Sequence, residues 1–358
     1  MHATVTESAD SRKRNILTSA QLPPATTPAL LVTAVVAAAG VLALFGSASA
    51  GAVIALGAAL FLVASYSLSA AVEGARRAKD RLARNIVTGL FLLALVPLIS
   101  VVWGTISKGM ARFDALFFSS SMRNVVGEGG GAVHAIWGTL IITGLATLIS
   151  VPIGVLTSIY LVEYGQKGRL AHSIRFFVDV MTGIPSIVAG LFAYTIFSLV
   201  MGPGTNNGLA GACALSVLMI PTIVRSTEEM LRLVPNELRE ASYALGVPKY
   251  RTIWRVVLPT SLAGIVTGVV LGIARIIGET APLLVTAAIT SSMNLNPLAN
   301  PMATLPVFVY YEYTTPGADP TPYIDRAWAG ALTLIIIVMG LNLIGRIIAW
   351  KFAPKAGR

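Results

Sequence analysis

The sequence predicts an all-α, polytopic membrane protein with about eight transmembrane helices. Its composition is the first indication, since 55% of the 358 residues are hydrophobic and only 12% are charged, whereas about a quarter of a soluble domain is charged. Apolar runs of ~18 or more residues, long enough to cross a bilayer, recur along the chain. The basic residues are distributed unevenly between the connections that separate these runs. Helices are required because a lone strand would leave its backbone groups unpaired in lipid.

Eight apolar segments account for the predicted spans. As helices that rise about 1.5 Å per residue, they cover the ~30 Å hydrocarbon layer, although the sixth is short. We interpret the Gly-Ser-Ala-Ser-Ala stretch after the first segment as a hairpin rather than a secretory cleavage site, because a second apolar run follows at once. The predicted spans are 29–46, 51–72, 86–107, 134–161, 174–200, 208–224, 261–290 and 327–349.

The basic residues predict the orientation of these spans. One side receives 21 of the 26 lysines and arginines, and an excess of basic residues marks the cytoplasmic side. Both termini are therefore expected in the cytoplasm. The residues on that side are Arg12, Lys13, Arg14, Arg76, Arg77, Lys79, Arg81, Arg84, Lys167, Arg169, Arg175, Arg225, Arg232, Arg239, Lys249, Arg251, Arg255, Arg346, Lys351, Lys355 and Arg358.

The same distribution excludes several classes of protein. The net charge of +10 is explained by topology, so we expect membrane lipid and no nucleic acid as a partner. Cys213 is the one cysteine and lies in an apolar run, which argues against a disulfide framework or a cysteine-based metal site. The chain contains neither a nucleotide-binding G-x-x-x-x-G-K-[ST] loop nor an H-E-x-x-H metal motif. We expect no catalytic residue, no metal and no cofactor in this chain.

Residues 226–259 form an unusually charged connection on the cytoplasmic side. The pattern predicts a short helix, a break at Pro235, a second helix that Gly246 ends, and a third that begins near Pro248. Residues 226–259 are therefore predicted to form a rigid helix–glycine–helix elbow. Leu238, Ala241 and Leu245 share one face of its first arm, at positions i, i+3 and i+7. This face is expected to pack on the protein's own spans or to fill a groove in a partner.

The elbow resembles the EAA loop of the permease subunits of binding-protein-dependent ABC importers. That pattern is Glu-Ala-Ala, three residues, glycine, nine residues, then an aliphatic residue, any residue and Leu-Pro. Ser242 replaces the second alanine, and Val256 stands at the aliphatic position. The resemblance implies a coupling helix that binds a groove of an ATP-hydrolysing subunit. Its residues are Glu240, Ala241, Ser242, Gly246, Leu258 and Pro259.

A charged pair is predicted inside the seventh span. Arg275 lies near its centre, where an unpaired charge costs several kcal/mol, and Glu279 follows at i+4, within pairing distance on a helix. The pair marks either a polar pathway or a structural lock between helices. One helical face is expected to carry Gly264, Gly268, Gly272, Arg275, Glu279 and Pro282.

A second charged group lies at the cytoplasmic end of the sixth span. Arg225 and Glu228 are neighbours at i and i+3 on a helix, and Glu229 follows. These side chains line the inner mouth of a pathway, or they extend from the helix toward the membrane surface. The residues alone leave both interpretations open.

The stretch from Ile220 to Leu284 resembles the phosphate-specific importer permeases, and within them the PstA type. The sequences "IARIIGETAPLL" and "TLPVFVYYEY" are its more specific parts. The resemblance covers about 134–350. It implies that the positions of Arg225, Glu228, Arg275 and Glu279 serve phosphate passage. That family commonly has six spans, so the first two spans here are an addition.

The resemblance also implies an organisation and a set of partners. The partners are a homologous PstC-type permease, PstB-type subunits that bind ATP, and an extracytoplasmic PstS-type phosphate-binding protein. Residues 291–326 on the outer side form either a packed loop or a docking surface. The predicted regions are a cytoplasmic tail at 1–28, three N-terminal spans at 29–107, an outer loop at 108–133, a permease core at 134–350 with the coupling loop 226–259, and a tail at 351–358.

Two alternative functions remain. The first is an ABC permease for another oxyanion, such as sulfate, molybdate or phosphonate, because the elbow does not depend on the substrate. The second is an ion-coupled secondary transporter or an intramembrane enzyme. A secondary transporter would work alone in liposomes, whereas an ABC permease requires its ATPase, its binding protein and its partner permease.

Overall fold

The computed structural model describes residues 22–46, 49–165 and 168–352, and all regular structure in this part of the chain is helical. Seven helices of these described residues are long and apolar enough to cross a membrane, and the number is eight if a bent helix pair counts as one span. This confirms the predicted fold class. Residues 1–21 and 353–358 of the predicted tails lie outside the described residues. The helices are α1 Thr26–Leu44, α2 Ala50–Val72, α3 Ala75–Gly109, α4 Ala115–Ser119, α5 Val133–Ile159, α6 Arg169–Thr182, α7 Ser186–Met201, α8 Gly208–Arg232, α9 Asn236–Ala244, α10 Lys249–Thr252, α11 Leu258–Ile276, α12 Ala281–Thr286, α13 Leu305–Thr314 and α14 Thr321–Phe352.

The first of two compact units extends to Val102. Helices α1 and α2 form its hairpin, and a Cβ placed on Gly57 would lie 3.3 Å from the Val35 Cα, so glycine permits this close packing. Glu73, at the α2–α3 turn, accepts a hydrogen bond at 2.8 Å from Arg81 Nη2. This ion pair is almost buried, with 12% of the Arg81 side chain and 5% of the Glu73 side chain exposed.

Helix α8 is the most deeply buried candidate span of the second unit, which begins at Trp103. It packs against α5, α11, α7 and α6. Small residues allow the helices to approach, since a Cβ on Gly154 of α5 would lie 2.6 Å from Ile223 of α8. The apolar core around this contact includes Ile142, Leu215 and Met219.

The predicted span at 174–200 is wrong in its geometry, because it is not one continuous helix. Helices α6 and α7 meet at an angle of 109°. The break lies at Gly183, Ile184 and Pro185, since the residue before a proline is disfavoured in helical geometry. Helix α6 carries Arg175 and Asp179 one turn apart, and it turns this charged face toward α8.

The predicted span at 261–290 is also interrupted. Helix α11 ends at Ile276, and α12 begins at Ala281. Pro282 has no amide hydrogen and its ring clashes with the carbonyl four residues earlier, so a helix cannot pass from Gly278 to Pro282. The chain turns here instead, with the Glu279 amide donating to the Ile276 carbonyl at 3.1 Å.

The cytoplasmic elbow turns at Gly246 as predicted, but its helices begin and end at different residues from those predicted. Helix α8 continues to Arg232, so the expected first short helix belongs to α8. Helix α9 follows Pro235, and Gly246 turns the chain with a φ of 76°, which suits glycine because it lacks a Cβ. The second arm then runs from Lys249 through a wide turn at Ile253–Val257 into α11 without a break.

The outer segment 291–326 contains α13 and is fixed by a buried ion pair. Arg326 of α14 is fully buried, and its Nε donates to the Glu312 carboxylate at 2.7 Å. Its Nη1 donates to the carbonyls of Gly127 and Gly129 at 2.6 and 3.1 Å. The Tyr323 ring lies 4.6 Å from the guanidinium. This part of the segment is therefore well packed.

Candidate functional site

Arg275 lies on an exposed surface of α11. Its Nη1 donates to the Thr222 hydroxyl of α8 at 3.2 Å. Among the described residues no ion pair joins Arg275 to Glu279, so that predicted contact is wrong. The end of α11 at Ile276 is the physical reason, because Glu279 is not one helical turn beyond Arg275.

Arg225 is exposed one turn beyond Thr222 on α8. Residues at i and i+3 lie on the same helix face, so Thr222 stands between the two predicted arginines. Arg225 forms an ion pair with Asp179 of α6 rather than with Glu228. The structure thus brings Arg225 and Arg275 to one open face.

Glu228 is buried beside this face and binds two basic side chains. It accepts hydrogen bonds from Arg175 Nε at 3.2 Å and from Arg232 Nη2 at 2.6 Å. The sequence predicted a contact between Glu228 and Arg225, but Glu228 pairs instead with Arg175 of α6. These charged groups surround a cavity of about 230 Å³, which Asp179 and Arg225 also line.

Sequence reasoning missed Thr222, Arg175 and Asp179. The spacing of Arg175 and Asp179 at i and i+4 was a usable signal, because it places both charges on one face of a helix. The assignment of residue 174 onward to a membrane span concealed it. Thr222 carried no signal, since its role depends on how α11 packs against α8.

The glycine face of α11 packs directly on α8. A Cβ on Gly268 would lie 2.2 Å from the Ser226 hydroxyl oxygen, and one on Gly264 would lie 2.2 Å from the Met230 sulfur. The expected close helix contact is confirmed for these glycines. Glu279 and Pro282 are not part of this helical face, because both follow the end of α11.

The elbow exposes the residues of the EAA-like motif to different degrees. Glu240 and Ala241 are exposed, whereas Ser242 is buried and its hydroxyl lies 2.8 Å from the Thr252 hydroxyl across the corner. Leu258 is partly buried, and Pro259 stands at the start of α11. The motif therefore combines a fixed corner with an accessible surface.

An apolar surface lies on the accessible side of the elbow. Leu238, Ala241 and Leu245 are all exposed, with 84% of Leu245 accessible. Of the two interpretations of this face, packing on the protein's own spans is therefore wrong. Trp254 is also exposed. Such a cluster is typical of a helix that fills a groove in another protein.

The model of the family described as "Binding-protein-dependent transport system inner membrane component" matches residues 150–358. The chain belongs to this family. The matched range of this permease includes the elbow, Arg225 and Arg275. The permease is therefore a multi-pass membrane subunit of an ABC importer, which also contains other permease and ATPase subunits.

Curated relatives narrow the family of this permease. It is 45% identical over 271 residues to the phosphate transport system permease protein PstA 1 of Mycobacterium tuberculosis (strain CDC 1551 / Oshkosh), a match covering 75% of this chain and 88% of the relative. It is 41% identical over 280 residues to the phosphate transport system permease protein PstA of Yersinia pestis, covering 78% of this chain and 92% of the relative. The resemblance to PstA-type permeases is confirmed.

A solved structure resembles the permease in fold. A chain of the MetNI methionine ABC transporter, in inward facing conformations, has a TM-score of 0.51 and 22% sequence identity to this permease. The match covers 62% of this chain and 95% of that one. At this identity the likeness supports the ABC importer permease fold and carries no information about the substrate.

Proposed function

We propose that this permease forms half of the pathway by which an ATP-driven importer carries phosphate into the cytoplasm. The observation that carries the proposal is the placement of Arg225 and Arg275 on one exposed face, on either side of Thr222. The relatives named above as phosphate transport permeases support the choice of substrate.

The exposure of Arg275 is the physical reason to place a pathway at this face. A charged side chain within a membrane span faces protein or water rather than lipid. Arg275 is exposed on α11, so its surroundings must come from a second subunit and the water between the two. A guanidinium binds two oxygens of a phosphate at once.

Neighbouring groups keep anion binding on this face weak. Asp179 partly neutralises Arg225, and the Thr222 hydroxyl already accepts from Arg275. Glu228 is itself paired with Arg175 and Arg232, and Glu279 is an acidic residue four positions beyond Arg275. A transported anion must leave as readily as it arrives, so partial compensation suits passage better than a tight site would.

The proposal includes a set of partners and an orientation. The second permease is of the PstC type, the ATP-binding subunits are of the PstB type, and an extracytoplasmic PstS-type protein delivers phosphate. ATP is bound by the partner subunits, and both termini of this chain lie in the cytoplasm. Residues 134–350 form the permease core, and Glu240, Ala241, Ser242, Gly246, Leu258 and Pro259 form the coupling element.

Transport by the complete complex in proteoliposomes tests this function. We expect uptake of labelled phosphate to need ATP, the binding protein and both permeases, and to be lost in Arg275→Gln while the complex still assembles. Arg346→Gln, which alters an exposed arginine on α14, is the matched control. ATP-driven uptake of sulfate in place of phosphate would contradict the assignment of phosphate as the substrate. Uptake by this chain alone would favour a secondary transporter.

A further inference from the structure

A buried ion pair joins the elbow to the cytoplasmic end of α5. Glu163 lies in the wide turn Tyr160–Tyr164 that ends α5, and only 5% of its side chain is exposed. Arg239 of α9 donates to one Glu163 carboxylate oxygen from Nη2 at 2.8 Å and from Nε at 3.1 Å. The contact spans 76 residues of sequence, so it exists only because the fold brings α5 and the elbow together.

The same guanidinium also binds the end of α8. Arg239 donates to the carbonyl oxygens of Leu231 and Val234 at 2.9 and 2.7 Å. Carbonyls at the end of a helix have no partner within that helix. One side chain therefore connects α5, the last turn of α8 and the elbow.

The second arm of the elbow reaches the same turn. The Lys249 ammonium of α10 donates to the Glu163 backbone carbonyl and lies 4.7 Å from the centre of the Tyr164 ring. Both arms are thus attached to the end of α5 on either side of the Gly246 corner.

We propose that Glu163 and Arg239 are positioning residues that make α5 move together with the elbow. The inference rests on the coupling role given to the elbow under Proposed function. Chain continuity connects the elbow directly to α8 and α11, whereas the contacts that the described residues make between the end of α5 and the elbow come from side chains. Of these contacts, the Glu163–Arg239 pair is directional and buried, so it resists both separation and sliding.

A matched ion pair in the same chain provides the control. Glu73 and Arg81 lie 2.8 Å apart and have the same exposed fractions, 12% for the arginine and 5% for the glutamate, as Arg239 and Glu163. Glu163→Gln and Glu73→Gln therefore remove equivalent charges. A purely structural role for Glu163 predicts the same effect from both substitutions.

The direct test measures a distance in the assembled complex. Spin labels are placed at Leu156, exposed on α5, and at Glu237, exposed on α9, after Cys213→Ala. In the parent complex and in Glu73→Gln we expect the same distance with and without trapped ATP. In Glu163→Gln we expect the distance to change or broaden when ATP binds. An unchanged narrow distance in Glu163→Gln, or an equal change in Glu73→Gln, would overturn the proposal.

The functional readout is the amount of phosphate carried per ATP hydrolysed. We expect Glu163→Gln to lower this ratio by at least about fivefold while ATP hydrolysis continues, and Glu73→Gln to leave it unchanged. If single variants do not assemble, Glu163→Leu combined with Arg239→Met removes the pair without leaving a lone buried charge. A double variant with normal coupling would overturn the proposal.

The distance measurement also separates this proposal from the proposed substrate. It needs ATP and the assembled complex but no transported anion. If the parent complex hydrolyses ATP but takes up no phosphate, phosphate is not its substrate. The distance measurement would still decide the role of Glu163.

Discussion

Arg275 and Thr222 form a 3.2 Å hydrogen bond between α11 and α8. This bond places the guanidinium on the face that also presents Arg225. It also replaces the contact with Glu279 that the sequence suggested. The acceptor is a neutral hydroxyl, so Arg275 keeps its charge available to an anion that approaches from the exposed side.

Removal of the Thr222 hydroxyl should weaken transport without abolishing it. Thr222→Val leaves Arg275 in place but removes its acceptor. We expect the rate of phosphate uptake to fall by roughly five- to tenfold, in line with the net contribution of about 1 kcal/mol from one hydrogen bond. Thr267→Val is a control, because the Thr267 hydroxyl donates to the Ala263 carbonyl of its own helix. Uptake kinetics in proteoliposomes measure the effect, and an equal loss in both variants would contradict it.

Substitution at the elbow corner should separate ATP hydrolysis from transport. Gly246 has a φ of 76° with no atom near a built Cβ, so Gly246→Val strains the backbone by about 1–2 kcal/mol without a clash. We expect the corner to open, ATP hydrolysis to continue and uptake to be lost.

Gly74 supplies the comparison for the corner variant. It has a φ of 90° and open space around a built Cβ, and it lies at the turn between α2 and α3. Gly74→Val should therefore carry similar backbone strain and leave uptake coupled. Normal phosphate uptake by Gly246→Val would argue against the coupling role of the elbow.

A methyl group on the glycine face of α11 should destabilise the helix bundle. A Cβ at position 268 would lie 2.2 Å from the Ser226 oxygen, so Gly268→Ala forces α8 and α11 apart at a cost of roughly 1–3 kcal/mol. Thermal unfolding of the purified protein should occur at a lower temperature. Gly144→Ala on α5, where a Cβ meets no atom, should unfold at the original temperature or slightly above it, because alanine favours a helix more than glycine does. Equal values for the two variants would contradict this packing.

The buried pair Glu312–Arg326 should make stability depend on pH. Burial raises the pKa of Glu312 above its ordinary value, and the nearby Arg326 opposes that rise. With a higher pKa in the folded state, the folded protein holds more protons than the unfolded chain between the two pKa values. The contribution of Glu312 to stability is therefore complete below the unfolded pKa, and it is lost as the pH rises through the folded pKa.

Glu312→Gln should remove that contribution. We expect the difference in unfolding temperature between the parent and Glu312→Gln to shift in favour of the parent as the pH falls from neutral toward about 4.5, near the ordinary glutamate value. A difference that grows as the pH rises would contradict the assignment.

The sequence predicted correctly those features that depend on residues close together in the chain. The left-handed corner at Gly246 follows from the absence of a Cβ, and the glycine face of α11 follows from helical period. The two wrong spans have a related cause. Pro185 and Pro282 interrupt apolar runs that hydropathy alone treats as continuous, and a proline acts on the preceding residue and on the carbonyl four residues earlier.

The sequence did not predict the ion pairs between residues that are far apart in the chain. Asp179 pairs with Arg225 across 46 residues, and Glu163 pairs with Arg239 across 76 residues. Each pair depends on the angle at which its helices cross, and helical period does not determine that angle. The predicted arginines were therefore found, while the groups that hold them were not.

The unbroken second arm of the elbow has a mechanical consequence. Residues 249–276 form one helical rod of 28 residues, about 40 Å long at 1.5 Å per residue. A pivot of about 5° at its base would displace the far tip by roughly 3.5 Å over that length. Such a displacement is about one hydrogen-bond length, so a small swing at the membrane surface is enough to pull the Arg275 guanidinium away from Thr222.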